Sequence, residues 1–406
     1  MGDFFQNGTI TTLHNLNPDF HNELEQQVLT FSKKRPITLL LPSLYSELEG
    51  PALENIVQEL MQVNYINHIV IGLDRANISQ YRHALKFFSR LPQKVTVLWN
   101  DGSRLLAIDK RLKKEGLAPI ELGKGRNVWY CLGYILACNN SEVIALHDCD
   151  ISTYSKDMLT KLVYPLINPT FNYEYCKGYY RRIADNKING RVSRLLITPL
   201  IRALKKVMGP LEYLCYLDSF RYPLAGEMAF KTDAIYDLKI PSNWGLELGV
   251  LSEMHRNHAN NRICQVDIAD NYDHKHQDIS FEDHSAGLSK MSLDISKAFF
   301  RKLAANGEVI TPEQIRTIKA SYYRIALDLL QMYADDAVMN GLTLDRHTEE
   351  QSIELFSKNI MLAGDEFFEK PMETPFMPSW NRVVSAIPNI FDELKSSVDE
   401  DLKNYG

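Results

Sequence analysis

The sequence predicts an α/β protein: a mostly parallel, Rossmann-like sheet covered by helices on both faces, with a helical extension at the C-terminal end. Three observations lead there. Short β-rich apolar runs alternate with helical stretches, the order that parallel strands joined by crossover helices require. From about residue 290 strand signals give way to helical periodicity and helix caps. The 406 residues, 45% hydrophobic and 24% charged, can bury a sizeable core, which excludes a disordered, collagen-like or disulfide-stapled chain.

Residues 1–35 are a polar lead-in of mixed charge. Residues 37–42, bounded by Pro36 and Pro42 and rich in leucine, read as a buried first strand. Pro51 suits the first position of a helix, and Leu53, Ile56, Val57, Leu60 and Met61 follow at helical spacing. A second strand is expected over 68–73, a helix over 81–89 and a third strand over 94–99. Gly123-Lys124-Gly125 opens a helix whose apolar face is Val128, Cys131, Leu132, Ile135 and Leu136, and a fourth strand follows over 142–147. A later strand is expected over 264–268. Helices then run from Ser292 onward and from two S/T-x-x-E/Q capping boxes, Thr311 to Gln314 and Thr348 to Gln351. Pro371, Pro375 and Pro378 break them before a short final helix, and the acidic stretch 392–401 reads as a solvated tail. The expected division is 1–35, then 36–290 with halves meeting near residue 150, then 291–406.

Composition removes several function classes. Forty-five basic against 51 acidic residues leave a net charge of -6, so no global cationic surface calls for nucleic acid or an anionic membrane. The longest apolar runs fall far short of the ~20 residues of a membrane helix. Six cysteines stand without CxxC pairing, and the opening MGDFFQNGTITTLHNL has neither a basic nor an apolar leader pattern, so a cytoplasmic location is expected.

The sharpest chemical signal is Asp148-Cys149-Asp150, directly after the fourth strand. An isolated DxD more often caps a helix, but carboxylates at the carboxyl end of a parallel strand lie where open α/β sheets bind ligands and can hold a divalent cation. Gly123-Lys124-Gly125 offers free N–H groups and an ammonium to a diphosphate, although such turns are common and this one is no Walker A loop. Residues 177–206 hold nine Lys/Arg and one acid, an excess of +8 that implies a local anion site. Its candidates are Lys177, Arg181, Arg182, Lys187, Arg191 and Arg194, with Gly190-Arg191-Val192-Ser193 best suited to phosphate. RNA would also fit that charge, but stacking aromatics are sparse after Tyr179 and Tyr180. Asp273-His274-Lys275-His276 can complete a metal site begun by a distant carboxylate. Glu227 and Glu247 sit in apolar runs, so each is either hydrogen-bonded structure or site chemistry.

Taken in order, these residues resemble the glucosyl-3-phosphoglycerate synthases, retaining glycosyltransferases of the GT-A type, over roughly residues 36 to 305. The likeness lies in the series: the LPSLYSE loop, GKG, the DxD, KGYYRR, GRVS, LAGE, WGLELG and a final histidine. It implies a GT-A fold, UDP-glucose as donor, D-3-phosphoglycerate as acceptor and Mg2+ or Mn2+ as cofactor; separately, oligomer contacts are the default expectation for the helical extension, and a homodimer is expected. By position it implies donor contacts at Leu41, Pro42, Ser43, Glu47, Asp74, Lys124, Asp148 and Glu227, and metal ligation by Asp150 and His274. It also implies acceptor contacts at Gly190, Arg191, Val192, Ser193 and His276, with Asp150, Glu247 and Arg191 central to catalysis. The chain departs from the pattern at His276, where an asparagine is expected, and at Cys149 in place of serine. No nucleophile stands out, so retention by front-face attack is expected. A GDP-mannose-using relative, an inverting GT-A enzyme with Glu247 as base, and a non-catalytic nucleotide-sugar or RNA-binding protein are the competing readings.

Overall fold

The computed structural model describes residues 6, 8–119, 121–242, 245–274, 287–371 and 376–406. Its strands, in chain order, are β1 (Thr11–Leu13), β2 (Ile37–Leu44), β3 (Ile66–Asp74), β4 (Lys94–Trp99), β5 (Val143–Leu146), β6 (Tyr175–Tyr180), β7 (Ile183–Ala184), β8 (Lys187–Ile188), β9 (Met228–Lys231) and β10 (Ile263–Ala269). Eight of them form one sheet in the order β1-β10-β6-β9-β5-β2-β3-β4, and β7 and β8 make a separate hairpin. Every neighbouring pair in the large sheet is parallel except those of β9, which runs antiparallel to β5 and β6. The carboxyl ends of β2, β3, β5 and β6 therefore share one edge with the start of β9. The reversal places Gly226 and Glu227 beside the DxD.

The helices are α1 (His21–Ser32), α2 (Pro51–Leu60), α3 (Ile78–Phe88), α4 (Ser103–Lys114), α5 (Lys124–Cys138), α6 (Lys156–Ile167), α7 (Thr198–Met208), α8 (Glu212–Asp218), α9 (Leu246–Asn257), α10 (Gly287–Ala305), α11 (Pro312–Met339), α12 (Arg346–Glu369), α13 (Trp380–Ala386) and α14 (Ile390–Tyr405). The period of two along β2 sorts its side chains onto two cores. Leu40 packs with Val70, Ile144 and the helix α5, whereas Leu39 and Leu41 join Ile69, Ile71 and helices α2, α3 and α6. At about 1.5–3 kcal/mol for each large aliphatic side chain buried, these two layers hold the sheet in place beneath its carboxyl edge. No helix among the described residues is long and apolar enough to cross a membrane.

Three expectations are corrected. The lead-in contains β1, which pairs in parallel with β10 from Thr11 opposite Cys264; three residues with two threonines carry no readable alternation. The helix near Thr348 starts earlier: Asp345 is its cap, accepting from the Thr348 N–H at 3.2 Å, so Thr348 and Gln351 lie inside the helix and form no capping box, and Glu349 between them is buried. The acidic stretch 392–401 is no solvated tail. It belongs to α14, whose Ile390, Leu394 and Val398 at i, i+4 and i+8 pack against the α5 layer, while Arg104 pairs with the buried Asp401 at 2.5 Å. The acids on the outer face hid that stripe. By contrast the Thr311 box is present as expected, with Thr311 and Gln314 satisfying each other's N–H groups.

Candidate active site

The carboxyl edge gathers residues from distant parts of the chain. Leu41, Pro42 and Ser43 end β2, Glu47 lies in the tight turn Tyr45–Glu49 that follows, and Asp74 ends β3. Burial lifts the Asp74 carboxyl to about 6 against the opposing pull of the Arg126 charge. Lys124 is the first residue of α5, and its Nζ reaches Asp148 Oδ1 at 2.6 Å and Glu247 Oε1, in the first turn of α9, at 3.1 Å. Burial alone would raise the Asp148 pKa, but the Lys124 charge and hydrogen bond outweigh it and hold the carboxyl below its usual range. Lys124 is pushed up in return by its two acids, against the effect of its burial.

Asp148 is also held from behind. A Cβ on Gly226 would lie 2.3 Å from Asp148 Oδ2, a separation that forces the carboxylate to move. Only glycine lets the start of β9 approach so closely. Gly226→Ala is therefore expected to displace Asp148 from Lys124 and lower kcat by about a hundredfold, with the melting temperature little changed. Kinetics and a thermal melt on the same preparation check this, and wild-type turnover would refute it.

Next to it Glu227 is fully buried and accepts a hydrogen bond from Tyr272 at 2.9 Å, and burial followed by the Asp148 charge raises its pKa. Tyr272 stacks on Tyr180 with ring centroids 3.6 Å apart. His274 is bridged to Ile151, just past the DxD, and its Nδ1 lies 3.9 Å from Asp150 Oδ2 while Arg182 donates to its Nε2 at 2.7 Å. Tyr272 and Gly226 are not singled out from the sequence, and Arg182, expected at an anion site, instead serves His274. Only proximity in sequence to His274 and Glu227 hints at the first two.

Asp150 is the electrostatic outlier. Burial, the neighbouring Asp148 charge and, more weakly, Glu47 and Glu227 raise its carboxyl to about 7, against the pull of the Lys124 charge. Such a crowd of acids is what a divalent cation offsets. Among the described residues no three His, Cys, Asp or Glu side chains converge as a complete cage. Asp150 and His274 offer two ligands, which suits a hard cation that takes its remaining oxygens from a diphosphate and water. In the metal-free folded protein Asp150 keeps a proton that the unfolded chain has lost once pH exceeds 3.8. The group thus costs stability as pH rises from there to about 7, fully so above it. Mg2+ or Mn2+ should accordingly raise the melting temperature more at about pH 8 than at about pH 6, and should release nearly one proton on binding at the lower pH. Scanning calorimetry and titrations in buffers of different ionisation enthalpy test this; an equal gain at both pH values would count against Asp150 as a ligand.

The basic segment does not form one patch. Lys177 is buried on β6, donates to the Ala225 carbonyl at 2.6 Å, and is pushed down to about 8 by burial. Arg181 is exposed and pairs with Asp270, and Arg182 serves His274. Gly190, with φ +77°, takes the left-handed turn that leads from the β7–β8 hairpin into a π-helical stretch, Val192–Ile197, continuous with α7. Arg191 and Arg194 both engage Glu349 of α12. Val192 is buried, and the Ser193 hydroxyl is buried with no hydrogen-bond partner among the described residues, a polar group still in need of one. His276 lies outside the described residues.

No family model matches the chain. It is 44% identical over 401 residues, 99% of either chain, to the glucosyl-3-phosphoglycerate synthase of Persephonella marina. To that of Methanococcoides burtonii it is 37% identical over 407 residues, again 99% of either chain. Among solved structures, it resembles glucosyl-3-phosphoglycerate synthase from Mycobacterium tuberculosis in complex with Mn2+, UDP-glucose and phosphoglyceric acid, with TM-score 0.52, 19% identity, and 73% and 88% of the two chains covered. Mannosyl-3-phosphoglycerate synthase from Rubrobacter xylanophilus gives TM-score 0.53 at 17% identity, covering 74% and 83%. At these identities the structural likeness speaks for the fold.

Proposed function

The chain belongs to the glucosyl-3-phosphoglycerate synthases, and on that premise we propose that it transfers glucose from UDP-glucose to D-3-phosphoglycerate at the carboxyl edge of its GT-A sheet. The observation that carries the reading is the meeting of Asp148, Asp150, Glu227, Glu247 and His274 around Lys124, on the edge where open α/β sheets bind nucleotides. Leu41, Pro42, Ser43, Glu47 and Asp74 frame the uridine. Asp150 and His274 hold Mg2+ or Mn2+, which when bound supplies the Lewis-acid charge that the departing UDP needs. Lys124 brings a second positive charge to the diphosphate while keeping Asp148 ionised. Glu247 orients sugar hydroxyls, and Glu227 fixes the floor through Tyr272.

The acceptor is held by Gly190, Arg191, Val192 and Ser193, with His276 beside them, so that its hydroxyl is presented to the anomeric carbon. In the transfer the bond from that carbon to the UDP oxygen breaks, the bond to the glycerate oxygen forms on the same face, and the acceptor proton passes to the departing phosphate. Residues 36–290 make up the transferase unit, its halves meeting near residue 150, with 1–35 as lead-in and 291–406 as helical extension. Six free thiols, four of them buried, favour the reducing cytoplasm, and the exposed Val338 and Met339 at the end of α11 favour a homodimer contact.

The test is steady-state kinetics with UDP-glucose and GDP-mannose as donors against 3-phosphoglycerate and unphosphorylated glycerate as acceptors. UDP-glucose with 3-phosphoglycerate should give the highest kcat/KM. Equal use of the two acceptors, or preference for GDP-mannose, would overturn the substrate assignment.

A further inference from the structure

One buried carboxylate ties the helical extension to the turn that carries Arg191. Glu349, in the first turn of α12, is 3% exposed; its Oε1 accepts from Arg191 Nε at 2.8 Å and its Oε2 from Arg194 Nη2 at 2.9 Å. Burying an acid so deeply is costly unless it is paired, and here two guanidinium groups share the task. They are not equivalent. Arg194 is built into the structure: its Nε donates to the Asn189 carbonyl at 2.8 Å, and its guanidinium lies over the Tyr333 ring of α11 at 4.8 Å. Arg191 keeps 32% of its side chain exposed, and Glu349 engages only its Nε edge.

The extension grips the same region at two further points. Thr343, between α11 and α12, donates from its N–H to the Asn186 carbonyl at 2.7 Å, on the β7–β8 turn. Tyr322 of α11 donates to the Leu195 carbonyl inside the π-helical stretch at 2.7 Å. A π-helical stretch closes its hydrogen bonds less favourably than an α-helix, so it needs outside support to stay in register.

We propose that Glu349 is a positioning residue for the acceptor: by holding the Nε edge of Arg191 it leaves the paired Nη atoms free for end-on, bidentate binding of an acceptor oxyanion. The inference rests on the assignment of Arg191 to 3-phosphoglycerate. It gives the extension a function in acceptor recognition. An arginine fixed beforehand loses less side-chain freedom when the substrate arrives.

Steady-state kinetics on Glu349→Gln, Glu349→Asp and Arg191→Ala, singly and with Glu349→Gln placed in the Arg191→Ala background, test it. Glu349→Gln should raise the 3-phosphoglycerate KM about 3- to 10-fold, with kcat and the UDP-glucose KM nearly unchanged. Glu349→Asp should recover part of the loss, and Glu349→Gln should add nothing once Arg191 is alanine. If Glu349→Gln does not fold, the pair Glu349→Gln with Arg194→Gln removes the buried charge on both sides and should show the same KM shift. A raised acceptor KM in Arg191→Ala but not in the Glu349 variants, or effects that simply add, overturns the inference and leaves the acceptor assignment standing. An unchanged acceptor KM in Arg191→Ala overturns the acceptor assignment itself.

Discussion

Asp150→Ala is expected to lower kcat by about a thousandfold, the largest single effect on this protein, because it removes a metal ligand and with it charge stabilisation worth several kcal/mol in the transition state. The position explains the size. Asp150 stands just past the end of β5 among acids, its carboxyl raised to about 7 by burial and by Asp148, and His274 faces it at 3.9 Å. With the carboxylate gone, His274 alone cannot recruit a hard cation. The fold should survive, since Asp150 supports no part of either core, so circular dichroism should match wild type, and the metal-free melting temperature should not fall below wild type and should exceed it at about pH 8. The effect of Mg2+ or Mn2+ on that temperature should vanish. Full turnover in a folded Asp150→Ala variant, or in the presence of EDTA, would remove the metal from the account.

Arg191→Ala is expected to raise the 3-phosphoglycerate KM about 10- to 150-fold while leaving the UDP-glucose KM nearly unchanged, the span given by losing one charge-assisted contact of about 1.5–3 kcal/mol. Arg191→Lys should already be damaging. A lysine ammonium carries its donors on one atom and meets Glu349 and an oxyanion only as a point charge, whereas the guanidinium can hold Glu349 through its Nε edge and still offer a planar bidentate fork. Unphosphorylated glycerate should discriminate far less between wild type and variant. A change confined to the donor would move Arg191 out of the acceptor site.

Much of this architecture is legible in the sequence because strand and helix periods are local. The strand 94–99 and the helix after Pro51 fall where their patterns place them. The DxD stands out because it ends a strand in an α/β series, and Lys124 because two glycines flank it at a helix start. What stays hidden depends on tertiary contact. Nothing around Gly226 announces that Asp148 will rest on it, and Glu349 sits where a capping box was expected because Asp345 caps the helix first. The apolar stripe of α14 is masked by the acids between its members. The nine basic residues in 177–206 look like one patch in the chain, yet strand, hairpin and π-helical stretch send Lys177, Arg182 and Arg191 to different partners.

The central claim is glucosyl transfer to 3-phosphoglycerate with retention, and NMR of the product tests it most directly. Purified protein incubated with UDP-glucose, 3-phosphoglycerate and Mg2+ or Mn2+ should form glucosyl-3-phosphoglycerate whose anomeric proton shows the small coupling of an α-linkage, matching the donor. A β-linked product would contradict the front-face course, and free glucose alone, or no turnover of UDP-glucose, would contradict the transferase assignment.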